Sequence, residues 1–458
     1  MKHPDYFRKR VTVMGLGLHG GGVAVTQWLV KQGANVTVTD LRDARTLRQS
    51  LDVLKKLPVR FVLGGHRNRD FIQTDCIIKN PGVPTTSPYI HIARQHHIPI
   101  ETDISIFLKL VKNQIIAVTG TKGKSTTTAL ITHILKTAGL SPFMAGNIRI
   151  SPLTILDRIT PHSPIILELS SWQLEDIEHL HWSPHIAVLT NIMPDHLNRY
   201  PSYASYAKVK SLICKYQTDK DIFIFSDDFP IIRSLIKNVK SKRVIFTTTA
   251  KPGADLFIEK NSIFTKKQKT RIIDCKKITF PGGSNYGNCL AAIAVALTLR
   301  ISLDSIRKAL TTFQGVPGRL EPIRSIHNVS FINDTAATTP DATLSALSAL
   351  GRAIILIAGG SDKKLSYKEL SCQVRKHCDY IILLPGTATQ KMIRELEHAG
   401  FHDYKMAHSM NRAVREAWKL AGEHSSKYVV LSPGAASFGL FKNEFDRGDQ
   451  FTAYVKNI

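Results

Sequence analysis

Residues Gly120-Thr121-Lys122-Gly123-Lys124-Ser125-Thr126 follow directly on the apolar run Ile115-Ile116-Ala117-Val118-Thr119 and precede a helix-forming stretch from Thr127 to Ala138. Strand, glycine turn and helix in that order make a phosphate cradle. Glycines let backbone N–H groups turn toward an anion, and the helix N-terminus adds positive potential. Lys124 can reach phosphate oxygens and the Ser125 hydroxyl can ligate Mg²⁺. The chain is therefore expected to handle a nucleoside triphosphate within an α/β fold. The general spacing G-x-x-x-x-G-K-[ST] would need glycine at position 118, where Val118 stands, so a more particular motif, G-T-x-G-K-S-T, takes its place. A glycine turn with an incidental lysine is the plainer alternative.

A chain of 458 residues, 43% hydrophobic and 21% charged, is long enough for about three domains with ordinary cores. No apolar run approaches the ~18 residues of a membrane span, and the N-terminus leads into a strand rather than a signal segment, so a cytoplasmic protein is expected. Cys76, Cys214, Cys275, Cys289, Cys372 and Cys378 form no C-x-x-C pair, which predicts reduced, mostly buried thiols. Lys+Arg 61 against Asp+Glu 36 gives a net charge of +25. That excess could attract nucleic acid or an anionic membrane, or suit anionic nucleotide substrates. It is spread in short groups such as Lys266-Lys267-Gln268-Lys269, without the interleaved aromatics of a single-strand platform. These groups read as solvated faces, and direct nucleic-acid binding is disfavoured.

Ahead of the cradle, Val11-Thr12-Val13-Met14 leads into Gly15-Leu16-Gly17-Leu18-His19-Gly20, a helical stretch to Lys31, and a second strand, Val36 to Thr39, ending at Asp40. G-x-G-x-x-G followed by an acid on the next strand is a dinucleotide fingerprint, the acid being placed for a ribose or base contact. A dehydrogenase would use it for NAD, but a second phosphate loop a hundred residues on makes a redox enzyme uneconomical. A further strand ends in the turn Asn80-Pro81-Gly82. From about Ile106, strands at Ile165 to Leu167, Ile186 to Leu189 and Ile222 to Phe225 alternate with helices, predicting a largely parallel sheet. Residues 250 to 280 suggest a short antiparallel excursion. After Gly315-Val316-Pro317-Gly318, strands and helices alternate again in a third α/β unit.

Phosphoryl transfer needs Mg²⁺ and cationic groups that offset phosphate charge. Glu168 ends one strand and begins Glu168-Leu169-Ser170-Ser171-Trp172-Gln173-Leu174, which puts a carboxylate at the edge where nucleotides bind. After Ile186 to Leu189 comes Asn191-Ile192-Met193-Pro194-Asp195-His196-Leu197-Asn198, in which His196 can be a neutral imidazole ligand beside Asp195. His179 and His181 lack a third ligand and read as surface residues. Tyr206-Ala207-Lys208-Val209-Lys210 lies on an expected helix, where either lysine would ordinarily be exposed. Asn285 and Asn288 can donate and accept toward an adenine edge.

These motifs, in this order from about Val11 to Phe451, resemble the Mur ligase family, the ATP-dependent amide-forming enzymes of peptidoglycan precursor synthesis. The resemblance implies three domains around one cleft: a Rossmann-like N-terminal domain (1–105) for a uridine diphosphate substrate, a central P-loop-type ATPase domain with a mainly parallel sheet (106–315), and a Rossmann-like C-terminal domain (316–458) for an amino acid. It places Leu18, His19, Asp40, Arg42 and Asn147 near the nucleotide-linked substrate. Gly120, Thr121, Gly123, Lys124, Ser125, Thr126, Asn285, Asn288, Arg319 and Asp334 would meet ATP. Ser125, Glu168, His196 and a carbamylated Lys210, with Lys208 as competitor, would surround Mg²⁺, and Lys124, Glu168, His196 and Lys210 would carry the catalysis. The stretches around Lys363 and Ser432 to Gln450 resemble those of members that add D-glutamate to UDP-N-acetylmuramoyl-L-alanine, so that Thr338, Lys363, Ser437 and Phe438 would hold D-glutamate. A monomer is expected. The chain departs from the family pattern at Asn80, Ser284, Gly318, Ala336 and Gly439. Alternatives are a sister Mur or folylpolyglutamate-type ligase with another acceptor, or an RNA-associated protein that keeps the nucleotide fold without ligase activity.

Overall fold

The computed structural model describes residues 5–458 apart from 19, 149, 196–198, 280–285, 363, 364 and 438, and describes residue 268 through its backbone alone. Apolar runs rich in Val and Ile become strands, and helices carry the chain between most of the parallel ones. The first sheet holds β1 (Arg10–Met14), β2 (Asn35–Asp40), β3 (Val59–Leu63), β4 (Cys76–Lys79) and β5 (Ile100–Glu101), all parallel in the order β3-β2-β1-β4-β5. The order reverses at β1, so the glycine loop leaving β1 sits at a switch point.

The second sheet holds β6 (Ile115–Thr119), β7 (Phe143–Gly146), β8 (Ile165–Glu168), β9 (Ile186–Leu189), β10 (Ile222–Ser226), β11 (Lys242–Thr247), β12 (Leu256–Glu259), β13 (Ser262–Thr265) and β14 (Arg271–Asp274). Its order is β14-β13-β12-β11-β10-β9-β6-β8-β7. Every residue of β6, β8 and β9 is buried, as a parallel sheet covered on both faces requires. β12, β13 and β14 pair antiparallel, with a register shift at Ile263/Phe264, and form the excursion expected between 250 and 280. Arg307, on helix Leu303–Thr312, donates from Nε to the Ile272 carbonyl (2.8 Å) and from Nη2 to the Arg271 carbonyl (3.2 Å) along β14.

The third sheet holds β15 (Glu321–Ile326), β16 (Val329–Asn333), β17 (Ile354–Gly359), β18 (Cys378–Leu384), β19 (Tyr404–Met406) and β20 (Tyr428–Leu431), in the order β15-β16-β20-β17-β18-β19. It is parallel except for the β15–β16 pair.

The chain divides into two compact units, Met1–Lys277 with Gly287–Leu310, and Ile278–Tyr286 with Thr311–Ile458. The first two sheets share one unit because a continuous core runs between them through helix Asp103–Leu110, Leu153 and Ile155. Cys214, Cys275, Cys289 and Cys378 are buried, Cys76 is half-buried, Cys372 is exposed, and all are free thiols. Among the described residues no helix is long and apolar enough to cross a membrane.

Candidate active site

β6 lies between β8 and β9, so the phosphate loop leaves the sheet flanked by Glu168 on one side and Thr190-Asn191 on the other. Two glycines are sterically required. A Cβ on Gly120 would sit 2.0 Å from Thr190 Oγ1, and one on Gly123, whose φ is +79°, would sit 2.0 Å from Asn288 Oδ1. Asn191 Oδ1 accepts from the Thr121 and Lys122 amides (3.1 and 2.8 Å), while Asn191 Nδ2 and Thr190 Oγ1 donate to the Lys122 carbonyl (2.9 and 2.8 Å). Thr121 Oγ1 accepts from the Met193 amide at 3.0 Å and shares a 3.2 Å bond with the Tyr206 hydroxyl. The segment after β9 thus shapes the loop from outside. Lys124 Nζ folds back onto the Gly120 and Thr121 carbonyls (3.0 and 2.9 Å), and Ser125 and Thr126 occupy the first turn of helix Lys124–Thr137.

Glu168 pairs in register with Val118 and is 1% exposed. Its Oε1 accepts from Asn147 Nδ2 at 2.8 Å, and its Oε2 is buried with no partner among the described residues. A dry carboxylate oxygen left unanswered is costly, and a divalent cation is the group that would answer it. Tyr206 and Lys210 lie four residues apart on helix Tyr203–Lys215 and both point inward, whereas Lys208 is exposed. Helix phase therefore favours Lys210 over Lys208. Lys210 Nζ donates to Thr119 Oγ1 at 3.2 Å, and burial, reinforced by Lys124, holds its pKa well below the usual lysine value against the pull of Asp195 and Glu168. A neutral amine there can act as a nucleophile. Burial also pushes the Tyr206 hydroxyl up to about 12. A buried half-satisfied carboxylate and a low-pKa amine beside a phosphate loop fit a Mg²⁺–nucleotide site. Among the described residues no three His, Cys, Asp or Glu side chains gather as a metal centre, and His196 lies outside those residues.

On the first sheet, Asp40 ends β2 with Oδ2 accepting from the Gly17 amide (3.1 Å) and Oδ1 from the Arg42 amide (2.9 Å). Asp40 is buried and braces the glycine loop, Arg42 is exposed beside it, and Leu18 is half-buried. His19 and Asn285 lie outside the described residues. Asn288 is buried beneath Gly123, its Oδ1 accepting from Thr127 Oγ1 at 3.3 Å. His179 and His181 are exposed, as expected.

In the second unit Asp334 follows β16 and is buried, with Ser432 Oγ donating to Oδ2 (2.8 Å) and the Leu320 amide to Oδ1 (3.1 Å). Burial raises its pKa to about 7 against these donors and Arg319, which is itself exposed. Arg447 is fully buried on helix Glu444–Lys456 and donates to Thr335 O (2.9 Å), Thr335 Oγ1 (3.1 Å) and Ala435 O (3.1 Å). Burial lowers its pKa to about 10. It ties the Asp334–Thr338 loop to the loop carrying Ser437, a role no local pattern around it discloses. A Cβ on Gly318, whose φ is +71°, would meet Thr335 Cγ2 at 2.9 Å, so a side chain there would require Thr335 to shift. Ser437 is buried and Thr338 half-buried, while Lys363 and Phe438 lie outside the described residues.

Family models for the Mur ligase MurD-like N-terminal domain, the Mur ligase middle domain and the Mur ligase glutamate ligase domain match residues 9–102, 118–296 and 318–435. UDP-N-acetylmuramoylalanine--D-glutamate ligase of Roseiflexus sp. is 40% identical, over 98% of this chain and 99% of that one. In fold, the chain is similar to UDP-N-acetylmuramate-alanine ligase of Thermotoga maritima, with a TM-score of 0.64 at 21% identity over 98% and 99% of the two chains. It is also similar to the MurF ligase of that organism in complex with ADP, with a TM-score of 0.57 at 18% identity over 99% of each. Full-length identity at that level, three matching domain models in order, and a phosphate loop set against a dry glutamate lead to one conclusion: the chain belongs to the Mur ligase family.

Proposed function

We propose that this enzyme joins D-glutamate to UDP-N-acetylmuramoyl-L-alanine, converting ATP to ADP and phosphate. The observation that carries the chemistry is the phosphate loop beside Glu168, whose Oε2 has no partner among the described residues. The choice of acceptor rests on the 40% identity to the Roseiflexus enzyme. Segments 1–105, 106–315 and 316–458 would carry the uridine nucleotide, ATP and the amino acid.

The amides at the start of helix Lys124–Thr137 and the Lys124 side chain bind the phosphates, with Lys124 Nζ exchanging the Gly120 and Thr121 carbonyls for phosphate oxygens. A carboxylate oxygen of the alanyl group attacks the γ-phosphorus and ADP leaves, giving an acyl phosphate with a better leaving group than oxide. The amine of D-glutamate attacks the acyl carbon, phosphate departs, and the nitrogen loses a proton to complete the amide. Ser125, Glu168, His196 and Lys210 would hold Mg²⁺, which supplies charge neutralisation at the phosphates. The neutral Lys210 amine would add to CO₂ and lose a proton, placing a carbamate among these ligands. Asn285, Asn288, Arg319 and Asp334 would contact the nucleotide. Thr338, Lys363, Ser437 and Phe438 would seat D-glutamate, Lys363 facing its side-chain carboxylate. Water-soluble, nucleotide-linked substrates suit a cytoplasmic monomer.

The test is to incubate the purified chain with ATP, Mg²⁺, UDP-N-acetylmuramoyl-L-alanine and each candidate amino acid, and to weigh the product. D-glutamate incorporation with stoichiometric ADP is the expected result. Incorporation of another amino acid reassigns the acceptor, and salt-sensitive RNA binding without ADP release replaces the reading altogether.

A further inference from the structure

Lys79 ends β4 and is 3% exposed; Asp176 ends helix Ser171–Asp176, and its side chain is 2% exposed. They meet at 2.8 Å although 97 residues separate them in the chain. One comes from the sheet with the candidate uridine-nucleotide loop and the other from the sheet with the candidate ATP site, both within the first unit. Burying two charges is costly, and burial outweighs Lys79 in raising the Asp176 pKa. Stability alone is a poor reason for such a pair, because matched apolar side chains serve as well.

Each end of the pair leads to a candidate substrate group. Lys79 Nζ also donates to the Val83 carbonyl (3.0 Å), closing the turn that starts at Asn80. Asn80 in turn supports the glycine loop. Its amide donates to Met14 O at 3.0 Å, and its Cβ lies 3.1 Å from where a Cβ of Gly15 would be. On the other side, helix Ser171–Asp176 is fixed by a capping box in which Ser170 accepts from the Gln173 amide and Gln173 Oε1 accepts from the Ser170 amide. Ser170 is two residues from Glu168. The path from glycine loop to Glu168 thus runs through short, directional contacts with one buried ion pair at its middle.

We propose that Lys79 and Asp176 are positioning residues that set the uridine-nucleotide loop in register with Glu168, so that the alanyl carboxylate is presented to the γ-phosphate. The inference rests on the ligase reading above. Neither residue touches a substrate in this scheme. Because the pair acts on alignment, its loss should lower turnover while leaving the ATP site able to bind.

The experiment compares the full-length wild-type chain with Asp176→Asn and with the double variant Lys79→Met/Asp176→Leu. Phosphate release, KM for UDP-N-acetylmuramoyl-L-alanine, affinity for a nonhydrolysable ATP analogue and thermal midpoint are measured on each. The double variant is expected to melt within a few degrees of wild type, bind the analogue within about twofold, and lose about tenfold or more in kcat, since misplacement by about 1 Å can cost that much. Asp176→Asn keeps shape and one acceptor and should lose at least about threefold in kcat with unchanged analogue affinity; it decides the matter alone if the double variant does not fold. Wild-type kcat in a folded variant, or a parallel fall of kcat and analogue affinity, overturns the proposal. Absence of turnover in the wild-type chain refutes the ligase reading instead, so the two failures are distinct.

Discussion

Replacing Gly123 with alanine asks two things of the phosphate loop at once. The residue sits at φ +79°, where a side chain costs about 1–2 kcal/mol. The new Cβ would also lie 2.0 Å from Asn288 Oδ1, so the amide must withdraw by about 1 Å or more and give up its 3.3 Å bond from Thr127, worth about 1 kcal/mol. The sum, about 2–3 kcal/mol, falls on the conformation whose amides are to receive phosphate. If the free loop relaxes and binding must restore its shape, nucleotide affinity drops about 30- to 150-fold. Calorimetric titration with a nonhydrolysable ATP analogue reads this directly. Gly139→Ala is the control: its φ is +84°, nothing lies within 4 Å of its Cβ position, and it follows the same helix at the other end. It pays the backbone cost and should leave affinity unchanged. Affinity in Gly123→Ala within about threefold of wild type would refute the claim that this glycine is held open by Asn288.

Three further outcomes are expected. The carboxyl of Asp334 has a folded pKa raised from 3.8 to about 7, so its contribution to stability is full below about pH 4 and is lost as pH rises through 7. Asp334→Asn should therefore gain thermal stability relative to wild type between pH 4 and 8, by an amount of order 4 kcal/mol, and a pH-independent difference would exclude the effect. Arg447→Met leaves Thr335 O, Thr335 Oγ1 and Ala435 O without the guanidinium and should destabilise the second unit by about 3 kcal/mol, read as an earlier urea transition; an unchanged transition would remove its structural role. Lys124→Ala and Glu168→Ala should each lower turnover about 100-fold or more with an unchanged circular dichroism spectrum, and retained turnover in both would remove the site assignment.

The parts of the fold legible in the sequence were those with a local pattern. The runs at Ile115, Ile165 and Ile186 read as buried strands because each is apolar throughout, and the structure buries every residue of them. The place of Glu168 at the end of such a strand was legible too, and the end of a parallel strand is where ligands generally bind. Lys210 needed helix phase to separate it from Lys208, and only the fold shows that one is buried and the other exposed. The contacts of Asn191, Lys79 and Arg447 were not legible. Their partners lie 69, 97 and 112 residues away in sequence, and no spacing rule reaches that far. The expectation for Asn288 was set by its amide chemistry, while its observed place under Gly123 follows from a contact that only glycine permits.

The outer margin of the long second sheet has a bearing on how the molecule behaves when crowded. A terminal strand with bare carbonyls invites a neighbouring chain to extend the ladder. Arg307 engages the Arg271 and Ile272 carbonyls of that strand with its guanidinium, and the register shift at Ile263/Phe264 disturbs the flat template such growth requires. Self-association through this border is thereby discouraged by the same guanidinium that pins a helix onto it.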